Sequence, residues 1–273
     1  MSLSNKIIKY SIDIDSSDQF SDMAKILSSS LWNLHTSNPP FWNYLLKESR
    51  IDTISILMYY IYVEKIDSLH EFYTTCIVNG YSGKNNLINL IDFMSHTKRI
   101  ELIVGTDRRK RKPQLTALGI NSLTEIVSCL LYPLSKFDRG IENVNISDSE
   151  FKLKYYKNYY SLFTSEKNEK INYKTLPLLI NKSSGIAFIF KIYNETLNGD
   201  LLINKKYPRH LLMNYHPELG ISRSHIINLI KSLEESQSLA CCERYFTVNE
   251  TFLLSMRKLT SILLARVYFY YKN

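Results

Sequence analysis

The chain has 273 residues, 45% of them hydrophobic and 22% charged, with a formal net charge of +8. That length accommodates two domains of ordinary size, and the composition excludes a disordered, collagenous or disulfide-framework chain. Cys76, Cys129, Cys241 and Cys242 follow no C-x-x-C spacing and fit a reduced, cytoplasmic protein; no secretory h-region opens the chain, and the apolar runs 51–63 and 252–271 fail as membrane spans, the first too short and the second interrupted by Arg257, Lys258 and Arg266.

In chain order, Phe20, Met23, Ala24, Leu27, Leu31 and Leu34 form the stripe of an amphipathic helix. Residues 52–65 predict an apolar helix, and Leu69, Phe72 and Tyr73 mark a second one. After Gly83, Leu87, Leu90, Ile91 and Met94 recur at spacings of three, one and three, which predicts a third helix. Ile100, Leu102, Ile103 and Val104, then Leu115, suit two short strands around a Gly105-Thr106-Asp107 turn, and Pro113 fits an edge strand because it has no N–H to donate. Residues 98–112 hold seven Lys or Arg against Glu101 and Asp107, so most of the net charge is local. A folded ribbon would concentrate those cations at its tip and attract a polyanion, with duplex DNA the first candidate. A helix from about Ala117 to Leu134 follows. Residues 137–148 read as a join, and the aromatic stripe Phe151, Tyr155, Tyr159 and Leu162 as packing between the halves rather than a base-stacking platform.

The same order returns 139 residues later. Ile88-Asn89-Leu90-Ile91 matches Ile227-Asn228-Leu229-Ile230, and Met94 and Ile100 fall opposite Leu233 and Leu239. The second copy runs through an apolar helix at 185–196, a helix with Leu211 and Leu212, a helix with Ile226, Leu229, Ile230 and Leu233, a ribbon at 239–248 and a helix at 249–271. Helix, helix, helix, ribbon, helix is the winged helix-turn-helix plan. The expected fold is therefore mainly α with small β-ribbons (α+β), as tandem winged helix-turn-helix domains. The expected domains are 1–139, with a core at about 51–135 and a basic wing at about 100–115, and 140–273, with a core at about 185–250 and a C-terminal helix at about 250–271.

Thr106-Asp107-Arg108-Arg109-Lys110-Arg111, followed by Leu115-Thr116 and Gly119, resembles the wing of the MarR family of bacterial transcription regulators. Ile221-Ser222-Arg223-Ser224-His225 through Leu233-Glu234-Glu235 resembles that family's recognition helix. The likeness spans about two thirds of the chain in two pieces. Family members are usually homodimers of about half this length with a terminal-helix interface, so the resemblance implies a single-chain pseudodimer with a helical interface, monomeric or weakly dimeric. It also implies a small aromatic effector or thiol oxidation as a signal, with Cys241-Cys242 the candidate thiols. The second ribbon departs from the pattern, since its one cation, Arg244, stands beside Glu243.

In such a module the third helix enters the major groove and the wing holds phosphates. The candidate DNA-binding residues are Ser82, Lys84, Asn85, Asn86 and Asn89 in the first copy, and Ser222, Arg223, Ser224, His225, Asn228 and Lys231 in the second. Arg108, Arg109, Lys110, Arg111 and Lys112 are the candidate phosphate clamps. No cofactor, metal or catalytic residue is expected: Gly80 to Lys84 is two residues short of a phosphate loop, and none of the six histidines sits in a metal or nucleophile motif. The expected function is a sequence-specific, double-stranded DNA-binding transcription regulator that acts by promoter occupancy on two dissimilar half-sites, without membrane attachment. The alternatives are a plasmid-type replication initiator with two winged helices, or a non-enzymatic interaction scaffold.

Overall fold

The computed structural model describes the backbone of residues 2–104, 111–169 and 177–273, and the side chains of all of these except 166–169 and 177–178. In chain order the elements are α1 (Leu3–Asp15), α2 (Phe20–Ser37), α3 (Pro39–Leu45), α4 (Glu48–Tyr59), α5 (Leu69–Val78), α6 (Lys84–His96), β1 (Ile100–Val104), β2 (Arg111–Leu115) and α7 (Ala117–Leu131). They continue with α8 (Ser149–Glu169), α9 (Pro177–Ile180), α10 (Gly185–Asn198), β3 (Tyr207–Pro208), α11 (His210–Met213), α12 (Arg223–Glu235), β4 (Leu239–Cys241), β5 (Tyr245–Val248) and α13 (Glu250–Lys272). The fold is mainly α with two small antiparallel sheets, an α+β arrangement.

Packing divides the chain into a larger unit, Met1–Glu48 with Cys129–Asn143 and Ile171–Tyr268, and a smaller unit, Ser49–Ser128 with Val144–Lys170 and Phe269–Asn273. Residues 1–48 fall in the same unit as α10 to α12, so this division of the chain differs from a cut near residue 139. In the larger unit α2 lies along α10, with Met23, Ala24 and Leu27 of the one and Phe188, Ile189 and Ile192 of the other fully buried. A polar relay ties α2 and α3 to the turn before α12. His35 Nε2 donates to Asn43 Oδ1 at 2.7 Å, and Asn43 Nδ2 donates to the carbonyl of Leu219 at 2.8 Å. With Nε2 as donor, Nδ1 of the fully buried His35 carries only a lone pair, and it has no partner among the described residues.

In the smaller unit α4 ends in a π-helical turn, Tyr60–Glu64. The extra residue swings tyrosines onto the face met by α8, where Tyr59 stacks on Tyr160 at 4.0 Å between ring centroids and Tyr62 stacks on Tyr156 at 5.7 Å. The aromatic stripe thus packs inside this unit, joined by Tyr270, whose ring lies 4.8 Å from that of Tyr159.

One local device is built twice. α6 and α12 both span thirteen residues, offset by 139, behind extended caps at Gly83 (φ −74°, ψ 150°) and Ser222 (φ −73°, ψ 158°). Both end at a left-handed residue, Lys98 and Gln237, each with φ 57°. The next amide returns to the helix at 2.8 Å in each case, Arg99 N–H to the Met94 carbonyl and Ser238 N–H to the Leu233 carbonyl. The chain then makes a hairpin and comes back to the same turn. Thr116 Oγ1 donates to the Lys98 carbonyl at 2.7 Å, and Asn249 Nδ2 donates to the Gln237 carbonyl at 2.9 Å.

The structure adds features that the sequence reading lacks. α1 is capped by Ser2, whose Oγ accepts from Asn5 N–H, and buries Ile7 and Ile14 while Ile8 and Ile12 stay exposed, so its apolar residues do not form one stripe. β3 makes the second ribbon a three-stranded sheet in the order β3-β5-β4, and α11 is a single turn. α7 gives way at Leu131 to a 3₁₀ turn, where Pro133 cannot continue the α ladder. By length and composition alone Ala117–Lys136 is apolar enough to cross a membrane; half of that stretch is buried in the structure.

Burial lowers the pKa of His35 below its ordinary 6.5, against the Asn43 bond that raises it. The unfolded chain therefore binds the proton first, and stability that is complete above about pH 6.5 is lost as pH falls below it. Urea midpoints measured from pH 7.5 to 5 should fall, and the gap between the wild type and His35→Gln, which keeps a donor for Asn43, should narrow toward acid. At Gly119 a Cβ would stand 2.0 Å from the Arg99 carbonyl oxygen. Gly119→Ala should cost about 1–3 kcal/mol in denaturant melts, the usual range for overpacking.

Candidate nucleic-acid interface

α6 buries Leu87, Leu90, Ile91 and Met94, which turns Asn85, Ile88, Asn89 and Asp92 outward. Lys84 and Asp92 offset each other, so this face is polar but nearly uncharged. The amides of Asn85, Asn86 and Asn89 are exposed and hold no hydrogen bond to another described residue. Gly83 caps the helix without a side-chain acceptor, and Ser82 stands half-buried just before it.

β1 and β2 pair from Ile100 opposite Leu115 to Val104 opposite Arg111. Pro113 sits in β2 opposite Leu102, in a two-stranded ribbon whose strands are both edges. Arg111 and Lys112 are exposed on the returning strand, beyond the partly bare Ile103 and Val104. Arg108, Arg109 and Lys110 lie outside the described residues. Two of the seven local cations are not at the tip. Lys98 occupies the left-handed turn at the ribbon's base, and Arg99 is buried there, its Nε donating to Ser122 Oγ and its Nη1 to the Thr97 carbonyl, both at 3.0 Å. Burial pulls the Arg99 pKa down while Glu125 pushes it back up. Arg99 is a bolt between ribbon and α7, and its signal in the sequence was its place before the first apolar strand residue. Lys112 Nζ pairs with Asp67 at 2.8 Å on the open surface.

In the larger unit α12 presents Arg223, Ser224, Asn228 and Lys231 to solvent. Ser222 caps the helix by accepting from His225 N–H at 3.2 Å, and its Oγ lies 2.9 Å from that of Ser224. Arg223 Nε donates to His216 Nε2 at 3.3 Å. His225 is half-buried with Nε2 on the Ser183 carbonyl at 2.9 Å, so it holds the helix entry in place rather than facing outward. Asn228 and Lys231 are exposed with no side-chain hydrogen bond to another described residue. The hairpin beside them is closed by Cys242 N–H on the Tyr245 carbonyl at 2.8 Å, with Glu243 and Arg244 at its tip.

An open recess of roughly 400 Å³ in this unit is lined by Glu195, Asp200 and Glu218 together with Tyr207, Tyr215 and Phe246. Tyr215 donates to Glu195, which also pairs with Lys191 at 3.3 Å. Its three carboxylates disfavour an anionic occupant. Comparison of this chain with protein-family models, curated proteins and solved structures finds no match.

The two candidate sensing thiols differ. Cys242 is exposed, whereas burial and the charge of Glu234 push the Cys241 thiol up to about 12. At pH 7.5 almost none of Cys241 is the reactive thiolate. Brief iodoacetamide treatment followed by peptide mass spectrometry should label Cys242 and spare Cys241; labelling of Cys241 at a similar rate would contradict this assignment.

Proposed function

We propose that this chain is a sequence-specific duplex-DNA-binding transcription regulator built from two unequal winged helices, α4 to α7 and α10 to α13. The observation that carries the reading is the pairing, in the smaller unit, of an outward polar helix with a cationic hairpin. The third helix, α6, offers unpartnered amides of the kind that read base edges. The ribbon fixed to its end by the Lys98 turn carries Arg111 and Lys112 at the border of the further cations Arg108, Arg109 and Lys110. Phosphate binding by the ribbon supplies attraction without sequence information, and the neutral helix supplies discrimination. Occupancy of a promoter then excludes polymerase or a competitor. The likeness of Thr106 to Gly119 to the MarR wing and the start of its following helix supports the same reading, and the recess in the larger unit would suit an uncharged or cationic aromatic effector.

The interaction-scaffold reading draws on the other hairpin, where Arg244 is offset by Glu243. It predicts a protein partner that survives removal of the basic ribbon. The test is the triple change Arg108→Ala, Arg109→Ala and Arg111→Ala, with binding to a mixed-sequence 20-base-pair duplex followed by fluorescence anisotropy between 50 and 300 mM salt. The regulator reading expects weaker binding and a shallower salt slope, by roughly 0.9 for each phosphate that the variant no longer neutralises. An unchanged affinity and slope would overturn it.

A further inference from the structure

The match between the two copies contains identities that packing does not explain. Of Ile88-Asn89-Leu90-Ile91 and Ile227-Asn228-Leu229-Ile230, the leucines and the final isoleucines are buried core. Asn89 and Asn228 are exposed at the centre of the outward face, and Ile88, 37% exposed, and Ile227, half-buried, flank them on the same side. The neighbouring outward positions have diverged, with Asn85 opposite Ser224, Asp92 opposite Lys231 and His96 opposite Glu235. Asn is a poor helix former, and a part-exposed β-branched residue gains little from a helix surface. Neither residue is what the helix or the core requires, yet the pair stands at the same register in both units.

On the basis of the DNA-binding reading above, we propose that the Ile-Asn pair is a base-reading element shared by both helices, and that each half-site carries an A·T step at its centre. An Asn side chain offers one acceptor and one donor group, matching N6–H and N7 of adenine in the major groove. The adjacent isoleucine supplies an apolar surface for a thymine C5-methyl group. Charge complementarity names the occupant as nucleic acid, since exposed cations accompany the pair in both units, Arg111 and Lys112 on the ribbon after α6 and Arg223 and Lys231 on the face of α12 itself. The residues that differ, Asn85 against Ser224 and Asp92 against Lys231, then make the flanks of the two half-sites dissimilar.

The test uses the full chain at about 150 mM salt, where nonspecific binding is weak, with three 20-base-pair duplexes in anisotropy titrations: A·T only, G·C only, and the A·T duplex with deoxyuridine for every thymidine. The wild type should prefer A·T to G·C by about tenfold or more, the scale of one bidentate contact. Deoxyuridine, which removes only the methyl groups, should weaken binding several-fold. Asn89→Ala and Asn228→Ala should each reduce the A·T preference and together abolish it, while binding of G·C remains. The deoxyuridine arm needs no substitution, so it decides even if a variant fails to fold. Equal binding of A·T and G·C, indifference to deoxyuridine, or a preference retained in the double variant, as a ribbon attracted to a narrow minor groove would give, overturns this proposal and leaves the DNA-binding reading standing. Failure to bind any duplex overturns both.

Discussion

Both hairpins depend on a single backbone constraint, that the chain must leave a helix and reverse within three residues so that the next strand starts beside that helix. It is met by a non-glycine residue in the left-handed region, Lys98 in one unit and Gln237 in the other. That conformation costs on the order of 1–2 kcal/mol for a side chain with a Cβ. The amides of the turn offset it by returning to the last helical carbonyls, and the helix after the hairpin adds bonds from Thr116 and Asn249 to the carbonyl of the left-handed residue itself. The base of each hairpin is therefore clamped from both ends. Gly119 belongs to the same clamp, since only hydrogen fits where α7 passes the Arg99 carbonyl.

With the base fixed, the tips are free to differ, and the electrostatics follow from that freedom. Between the first pair of strands the sequence carries Arg108, Arg109 and Lys110, whereas the second pair is joined at once through Glu243 and Arg244. In the smaller unit the exposed Arg111 and Lys112 lie on the ribbon, whereas the outward face of α6 is polar and nearly uncharged, so charge and hydrogen-bonding groups sit on different elements. The exposed pair between Lys112 and Asp67 holds the cation only loosely, as surface ion pairs contribute little.

The α6 and α12 helices, the first ribbon and the α2 stripe were legible in the sequence because each buries one face, and burial leaves a period. The offset of 139 residues was legible for the same reason. β3 was not, because two residues that pair only through Tyr207 and Pro208 leave no alternation to read. α1 was hidden by isoleucines that point to solvent, and the π-helical turn by tyrosines whose purpose appears only when α8 lies against them. At the candidate interface the sequence located the polar residues, but not which were already occupied: Arg99 and His225 are held by internal acceptors that lie far away in the chain or across a turn.

The packing units are also discontinuous, and this sets the order in which the protein can be completed during synthesis. The helices of residues 1–48 leave the ribosome long before α10, the helix that covers α2, has been translated. The smaller unit holds its helices and basic ribbon early, yet Tyr270, which closes the tyrosine cluster on α8, is translated only after the whole stretch of chain that builds α9 to α12. Domains usually fold one after another from the N-terminus as they emerge. Here neither unit closes until the residues of α13 have been translated, and the apolar face of α2 must be kept from other nascent chains until α10 emerges.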